Sequence, residues 1–349
     1  MSEIPRGAIR FNTDSNRLEV WTGSVWGEMQ LSTPNLGRSV DTQPGPRGVF
    51  QGGISPSETD TVDYINISTT GNAVDFGNLS TTRRLGAAFA SSTRVFTFGG
   101  FDGSDSTTEI EFFVFASTGS REDFGSAIDN ATRSNAGAAN ATRGLSFGGV
   151  APKGDDIDYI TMASNGSGVN KFGTPITSPG STVTQSYGTA SPTRAVFGGG
   201  ETPGRINTLQ FVQIATLGNA QDFGDLSVAI SGVSAFGNAT RGIFGGGEIS
   251  PTFLNTMQSV NFASTGNATT FGELLQSGGL RQQGSASSPT RGVFAGGSND
   301  TPSSSTVYNQ IQYVNISTEG DAVDFGDLSG GTARWQIMNG TTSNAHGGL

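Results

Sequence analysis

Asn238-Ala-Thr-Arg-Gly-Ile-Phe-Gly-Gly-Gly247 is a short apolar run that opens at an arginine and stops at consecutive glycines. The chain carries six versions of it, opened by Arg47, Arg94, Arg143, Arg194, Arg241 and Arg291, at steps of 47, 49, 51, 47 and 50 residues. A fixed period of this size marks a repeat architecture and outranks every local reading. Each arginine leads to a phenylalanine and then to glycine, as in Val49-Phe50 before Gly52-Gly53, or Phe96 and Phe98 before Gly99-Gly100. Such a run reads as a strand whose glycines can take the positive φ of a sharp exit.

Outward from that stretch, each unit continues in the same order. A variable polar loop comes first, then a second apolar run such as Val62-Asp-Tyr-Ile-Asn-Ile67 or Leu209-Gln-Phe-Val-Gln-Ile214. A tight turn follows at Gly71, Gly119, Gly166, Gly218, Gly266 or Gly320, where Gly-Asn in several copies suits a hairpin. A third run carries Phe-Gly at Phe76, Phe124, Phe172, Phe223, Phe271 and Phe325. A weaker fourth stretch, such as Arg84-Leu-Gly-Ala-Ala-Phe89, precedes the next arginine. Four short strands in about 50 residues are the signature of a propeller blade. Six arginines predict six blades; seven would need a degenerate extra unit. The first unit lacks a convincing first strand, and Arg334-Trp-Gln-Ile-Met338 at the other end matches Arg84-Leu-Gly-Ala-Ala88. The C-terminal strand is therefore expected to complete the first blade, close the ring and cover two open sheet edges.

Composition agrees with an all-β chain. The 349 residues include 53 glycines and 23 phenylalanines at regular places, and no helical apolar period of useful length. The net charge of −10 argues against binding a phosphate backbone, so no nucleic-acid partner is expected. There is no cysteine, hence no thiolate nucleophile and no zinc–thiolate site. No run approaches the length of a membrane helix and Met1-Ser-Glu-Ile-Pro-Arg6 lacks the regions of a signal peptide, so synthesis in a cytoplasm without membrane insertion is expected. Asn-x-Ser/Thr triplets, as at Asn66, Asn238 and Asn315, then read as turn chemistry.

The repeat order resembles kelch repeats: arginine and small residues, an apolar run ending in Gly-Gly, an apolar strand, then an aromatic followed by leucine. Phe in Asp-Phe-Gly-Asp-Leu stands where kelch repeats usually have Trp, so the resemblance is to a divergent kelch-like family over residues 47–349. It implies an all-β fold: a six-bladed β-propeller of four-stranded blades with a small N-terminal β-meander beside it. It implies no particular activity, because propellers host many functions.

Residues 1–35 stand outside the repeat, and 36–46 form a linker rich in Pro and Gly. Ala8-Ile-Arg-Phe-Asn12 and Arg17-Leu-Glu-Val-Trp-Thr22 alternate as strands of a meander. Ile9, Phe11, Leu18 and Val20 should share one face, with Trp21 on the other and Trp26 beyond. So short a piece must dock on something, either as a cap on the propeller or as an attachment interface. Gly7-Ala-Ile-Arg-Phe-Asn-Thr-Asp-Ser-Asn-Arg-Leu-Glu-Val-Trp-Thr-Gly-Ser-Val-Trp26 resembles a short module of tail and fibre proteins of tailed bacteriophages, among them phages resembling those of cyanobacteria. The resemblance implies a structural protein of a virion, present in multiple copies, whose partners are other virion proteins, a host-surface receptor or a polysaccharide. A capsid decoration protein and a lectin-like adhesin are the other readings of this class.

Candidate sites are few. The six arginines form either an anion site or one structural contact per blade, and their presence in every unit favours the latter. Asp75, Asp123, Asp222 and Asp324 precede Phe-Gly, but Lys171 and Thr270 replace them in two units, which excludes a universal ion pair at that place. Acidic loop clusters (Glu58 with Asp60, Asp102 with Asp105, and Asp155, Asp156 and Asp158) have no EF-hand spacing and read as solvated. Triple glycines lack the Gly-Lys-Ser/Thr ending of a phosphate loop. The one histidine, His346, leaves almost no material for a catalytic triad, and carboxylate pairs for glycoside cleavage depend on the fold. No catalytic residue, metal or cofactor is expected. Partner contact is expected on the variable loops at 54–61, 101–108, 151–156, 201–205, 248–253 and 298–306.

Overall fold

The computed structural model describes residues 5–12, 17–28, 46–119, 121–125, 130–150, 154–176, 182–299 and 306–349. The chain divides into two compact units, Met1–Pro44 and Gly45–Leu349. Of the expected linker, only Pro46 is among the described residues.

The first unit is a three-stranded antiparallel sheet of β1 (Ile9–Asn12), β2 (Arg17–Trp21) and β3 (Trp26–Glu28). Pairing of Ile9 with Val20 puts Ile9, Phe11 and Val20 on one face, because side chains alternate along a strand. Leu18 lies opposite Phe11, and its side chain is outside the described residues. Trp21 pairs with Trp26 on the other face, ring centroids 5.5 Å apart. Arg10 sits there too, 4.2 Å above the Trp26 ring and 2.8 Å from Glu19.

The second unit is a six-bladed propeller. Blades 2 to 6 are four-stranded antiparallel sheets whose strands follow one another in chain order. Their innermost strands are Ala87–Ala90, Ala136–Ala139, Tyr187–Ala190, Ser234–Gly237 and Gly284–Ser287. Ala, Gly and Ser dominate these strands, and every residue in them is buried. Small side chains are what lets them crowd around one axis. The second strand of each blade starts at the repeat arginine, and the glycine pair after it turns the chain at positive φ, as at Gly246 (73°) and Gly247 (103°). The apolar cores lie between blades: Val49, Val62 and Phe76 of blade 1 pack with Ala88, Val95 and Phe113 of blade 2. At the outer edge, each hairpin glycine donates its N–H to the Phe-Gly carbonyl of the preceding blade. Gly119 reaches Phe76, Gly266 reaches Phe223 and Gly71 closes the circle on Phe325.

Blade 1 has three strands of its own, Arg47–Gln51, Thr61–Asn66 and Val74–Asn78. The C-terminal segment takes the fourth place, as expected. Ile54 bridges Trp335, Met338 N–H donates to Gln51 O (3.2 Å), and Val49 N–H donates to Thr342 O (2.9 Å). The register differs by one from the expected match. Trp335 pairs with Ile54 as Arg84 pairs with Phe101, so Arg334 is the counterpart of Arg83, not of Arg84. Two adjacent arginines offered two alignments, and strand pairing chooses between them.

Among the described residues, no helix is long and apolar enough to cross a membrane.

Candidate functional site

Each repeat arginine reaches across a blade boundary. Arg47 Nη1 donates to Phe115 O (2.5 Å), Arg94 to Met162 O (3.2 Å), Arg143 to Ile214 O (2.7 Å), Arg194 to Phe262 O (2.7 Å), Arg241 to Ile316 O (3.1 Å) and Arg291 to Ile67 O (3.3 Å). The last contact joins blade 6 to blade 1, so the six staples form a closed ring. Below each staple the guanidinium lies over an aromatic ring of its own blade. The distances to the ring centroids are 5.0 Å for Tyr64, 4.5 Å for Phe112, 4.9 Å for Tyr159, 5.0 Å for Phe211 and 4.8 Å for Tyr313. That is cation–π range, worth roughly 0.5–1 kcal/mol each at a partly exposed site. The Phe-Gly rings lie beneath, with Phe76, Phe172, Phe223 and Phe325 meeting Tyr64, Tyr159, Phe211 and Tyr313 edge to face. Phe124 does the same with Phe96, and all six Phe-Gly rings are buried.

Blade 5 breaks this pattern. Register places Ser259 where its siblings have the ring, since Ile243 pairs with Ser259 as Val49 pairs with Tyr64. Arg241 then lies 5.8 Å from Phe271, one strand further out. A cavity of about 300 Å³ opens there, walled by Arg241, Ser259, Asn261, Asn267, Thr269 and, from blade 6, Glu319.

The propeller axis is occupied by the protein itself. Six residues, one per blade, form a circle of backbone hydrogen bonds: Leu85 N–H to Gln336 O, Gln336 to Gln282, Gln282 to Gly232, Gly232 to Gln185, Gln185 to Ser134, and Ser134 back to Leu85. Their distances run from 2.6 to 3.2 Å. All six hold positive φ, between 53° and 64°, although only one is glycine. A non-glycine residue keeps that conformation only where its surroundings fix it, and here the circle does so. Residues 339–349 fill the remaining axis. Asn339 N–H bonds Gly86 O, Thr341 Oγ1 bonds Ala235 O (3.2 Å), and Ser343 Oγ bonds Ser287 O. Gly340 passes so close that a Cβ on it would lie 1.9 Å from Ala88 O.

His346 lies in the last turn of this plug, buried. Its Nε2 lies 2.7 Å from Ala90 O and so must carry the proton, while Nδ1 accepts the Gly348 N–H at 3.1 Å. Burial holds its pKa down, to about 4, against the pull of the Ala90 carbonyl.

Two charged pairs sit where blades 4, 5 and 6 are apolar. Arg334, fully buried, pairs with Asp63; Arg83, also buried, pairs with Glu111 (2.6 Å) and Glu109 (2.5 Å). The equivalent residues in blades 4, 5 and 6 are Val183, Ile230 and Leu280. Burial pushes the Glu111 carboxyl up, opposed by Arg83, and pushes Arg334 down, opposed by Asp63. The acid position is Gln210, Gln258 and Gln312 in the last three blades. Its side chain there accepts a backbone N–H from the preceding blade, as Gln258 does from Ser227 at 2.8 Å. Glu111 does the same for Ser80 at 3.1 Å.

The variable-loop rim carries ion pairs between blades. Glu248 meets Arg205 (2.7 Å) and Arg281, and Glu58 meets Arg84 (3.0 Å). The acidic loop clusters are used locally: Asp102 accepts N–H bonds from Ser104 and Asp105, and Asp156 pairs with Lys171. Asp75 and Asp123 likewise bond their own turns, at Gly77 and Gly125. Parts of two expected contact loops, 151–153 and 300–305, lie outside the described residues. Among the described residues no three acidic or imidazole groups converge as metal ligands.

Sequence reading found the arginines and the Phe-Gly rings, but not the plug, the axial circle or the Ser259 cavity. The plug's signal was indirect: five inner strands of Ala, Gly and Ser whose carbonyls need partners. Against known proteins, no family model matches the chain and no curated sequence matches it.

Proposed function

We propose that the chain is a non-enzymatic structural protein of a bacteriophage virion, a component of tail, fibre or baseplate. In this reading the N-terminal sheet attaches to other virion proteins. The propeller then meets a neighbouring protein, a host receptor or a surface polysaccharide. The observation that carries it is the apolar face of the N-terminal sheet. Ile9 and Phe11 are 61% and 55% exposed there, side by side on strand β1, in a stretch that resembles tail and fibre modules. An exposed apolar face on so small a sheet needs a partner. The filled axis supports a scaffold role for the propeller, because the chamber where loops could converge on a substrate holds residues 339–349. The net charge of −10 suits crowding of many copies.

A reconstruction of purified virions tests the reading. The propeller should be seen at the tail, with residues 5–28 against a neighbouring subunit. A position on the head would replace it with capsid decoration, and absence from the particle would remove it. Charge replacement on the apolar face, Ile9→Glu with Phe11→Glu, should strip the protein from particles and leave the propeller folded.

A further inference from the structure

We propose that the blade 5 cavity is a binding site for a phenolic ring, the side chain of a tyrosine on a partner polypeptide. The inference stands on the geometry of blade 5, not on the virion reading.

The fold supplies five examples of what belongs at this place. In every other blade a Tyr or Phe projects from the third strand and the repeat arginine lies over it at 4.5–5.0 Å. Three of these five rings are tyrosines, Tyr64, Tyr159 and Tyr313. Blade 5 keeps the arginine and the Phe-Gly ring but has Ser259 between them. The guanidinium therefore still presents a flat cationic face to a space without its ring. Arg241 is already anchored through Ile316 O (3.1 Å), so the face is preorganised.

The size and walls narrow the occupant. A volume of about 300 Å³ is at the small end of ligand sites and takes one ring, not an oligosaccharide. The walls are polar: Asn261, Asn267 and Thr269 line the cavity, and Glu319 stands at its blade 6 side. A phenol hydroxyl can donate to Glu319 or accept from an asparagine amide, which a phenylalanine ring cannot do. A tyrosine thus matches both the cation above and the hydrogen-bonding wall.

The test uses the full-length protein and the capped peptide acetyl-Gly-Tyr-Gly-amide, followed through backbone amide resonances. Acetyl-Gly-Phe-Gly-amide, p-cresol and methyl α-glucoside serve as comparisons. The tyrosine peptide should shift Gly266, Asn267 and Thr269 saturably, with the phenylalanine peptide about threefold to tenfold weaker for want of one hydrogen bond. Ser259→Tyr should fill the cavity from within and abolish those shifts. Glu319→Gln, at an exposed position, guards against misfolding of that variant; it should weaken the tyrosine peptide and leave the phenylalanine peptide unchanged. Binding of p-cresol as strong as the peptide would overturn the polypeptide source. Saturation by the glucoside alone, no saturable shift, or shifts that persist in Ser259→Tyr would each overturn the site.

Discussion

Blade 1 and blade 5 are built from the same repeat and held in opposite ways. Blade 5 is contiguous in sequence, from Ser234 to Glu273, and its inner boundary is apolar, with buried Ile230 at the place that Arg334 holds in blade 1. Blade 1 is assembled from two ends of the chain, and its inner boundary is the buried pair Arg334–Asp63. A contiguous blade can rely on local hairpins. A blade closed from a distance must first bring residues 47 and 344 together, which costs loop-closure entropy. The ion pair then favours one register of closure over its neighbours, since a slip by one residue would bury Arg334 unpaired. Blade 5 has the opposite surplus: its closure is secure, and it alone among the six lacks the ring beneath its arginine.

The largest test of this contrast is removal of residues 334–349. Blade 1 would lose its inner strand, and the axis would lose the groups that satisfy the Gly86, Ala235 and Ser287 carbonyls. The propeller should fail to unfold cooperatively, or its Tm should fall by well over 10 °C, measured by calorimetry. An unchanged Tm would mean that the blades are stable without closure. Next in size is Asp63→Asn, which leaves Arg334 without its carboxylate and should cost about 3–5 kcal/mol in urea unfolding. Gln258→Leu, the same position in blade 5, removes one bond to Ser227 N–H and should cost about 1–3 kcal/mol. Equal losses would break the distinction between the two boundaries.

His346 adds a pH dependence to the closing segment. Its folded pKa, about 4, lies below its ordinary 6.5, so the unfolded chain binds more protons between those values. Stability is therefore complete above pH 6.5 and is lost as pH falls toward 4, by about 3 kcal/mol at most. Glu111 works in the opposite direction, because its carboxyl is raised in the fold. The difference between wild type and His346→Gln isolates the histidine: the variant should lack the loss between pH 6.5 and 4. Hydrogen exchange read at pH 5 should quicken first in Ala87–Ala90 of blade 2, whose Ala90 carbonyl accepts from His346. Uniform quickening would show that the plug serves the whole ring equally.

The fold was legible because its punctuation is periodic. Arginine, glycine pair, hairpin glycine and Phe-Gly recur at fixed offsets, and each recurs because each blade makes the same bond to its neighbour. What does not recur was not legible. Asn339-Gly-Thr-Thr-Ser-Asn-Ala-His-Gly-Gly-Leu349 reads as a polar loop, and nothing local marks it as buried. Its burial follows from the carbonyls of inner strands far away in sequence. The circle at Leu85, Ser134, Gln185, Gly232, Gln282 and Gln336 was hidden for a related reason: positive φ at a Leu or Gln has no composition signal, because tertiary bonds impose it. Ser259 was visible as a letter, but its meaning needed the register that places it opposite Ile243.

The smallest effect is the one that reads the empty ring position directly. Arg241→Met and Arg291→Met remove the same kind of staple, a guanidinium bond to the next blade's carbonyl. Arg291 also lies 4.8 Å over Tyr313, whereas Arg241 lies 5.8 Å from Phe271 with Ser259 between. Arg291→Met should be the more costly, by about 0.5–1 kcal/mol for one exposed cation–π contact and by the second carbonyl bond, to Ser68 O, that Arg291 makes. In a Ser259→Tyr background the cost of Arg241→Met should rise by the cation–π share, about 0.5–1 kcal/mol. A double-mutant cycle in urea measures this coupling without needing absolute contact energies. If the cycle gives no coupling, the ring adds nothing under the arginine in any blade. The staple to the carbonyl would then be the whole reason for the repeated arginine, and blade 5 would lose its claim to be different.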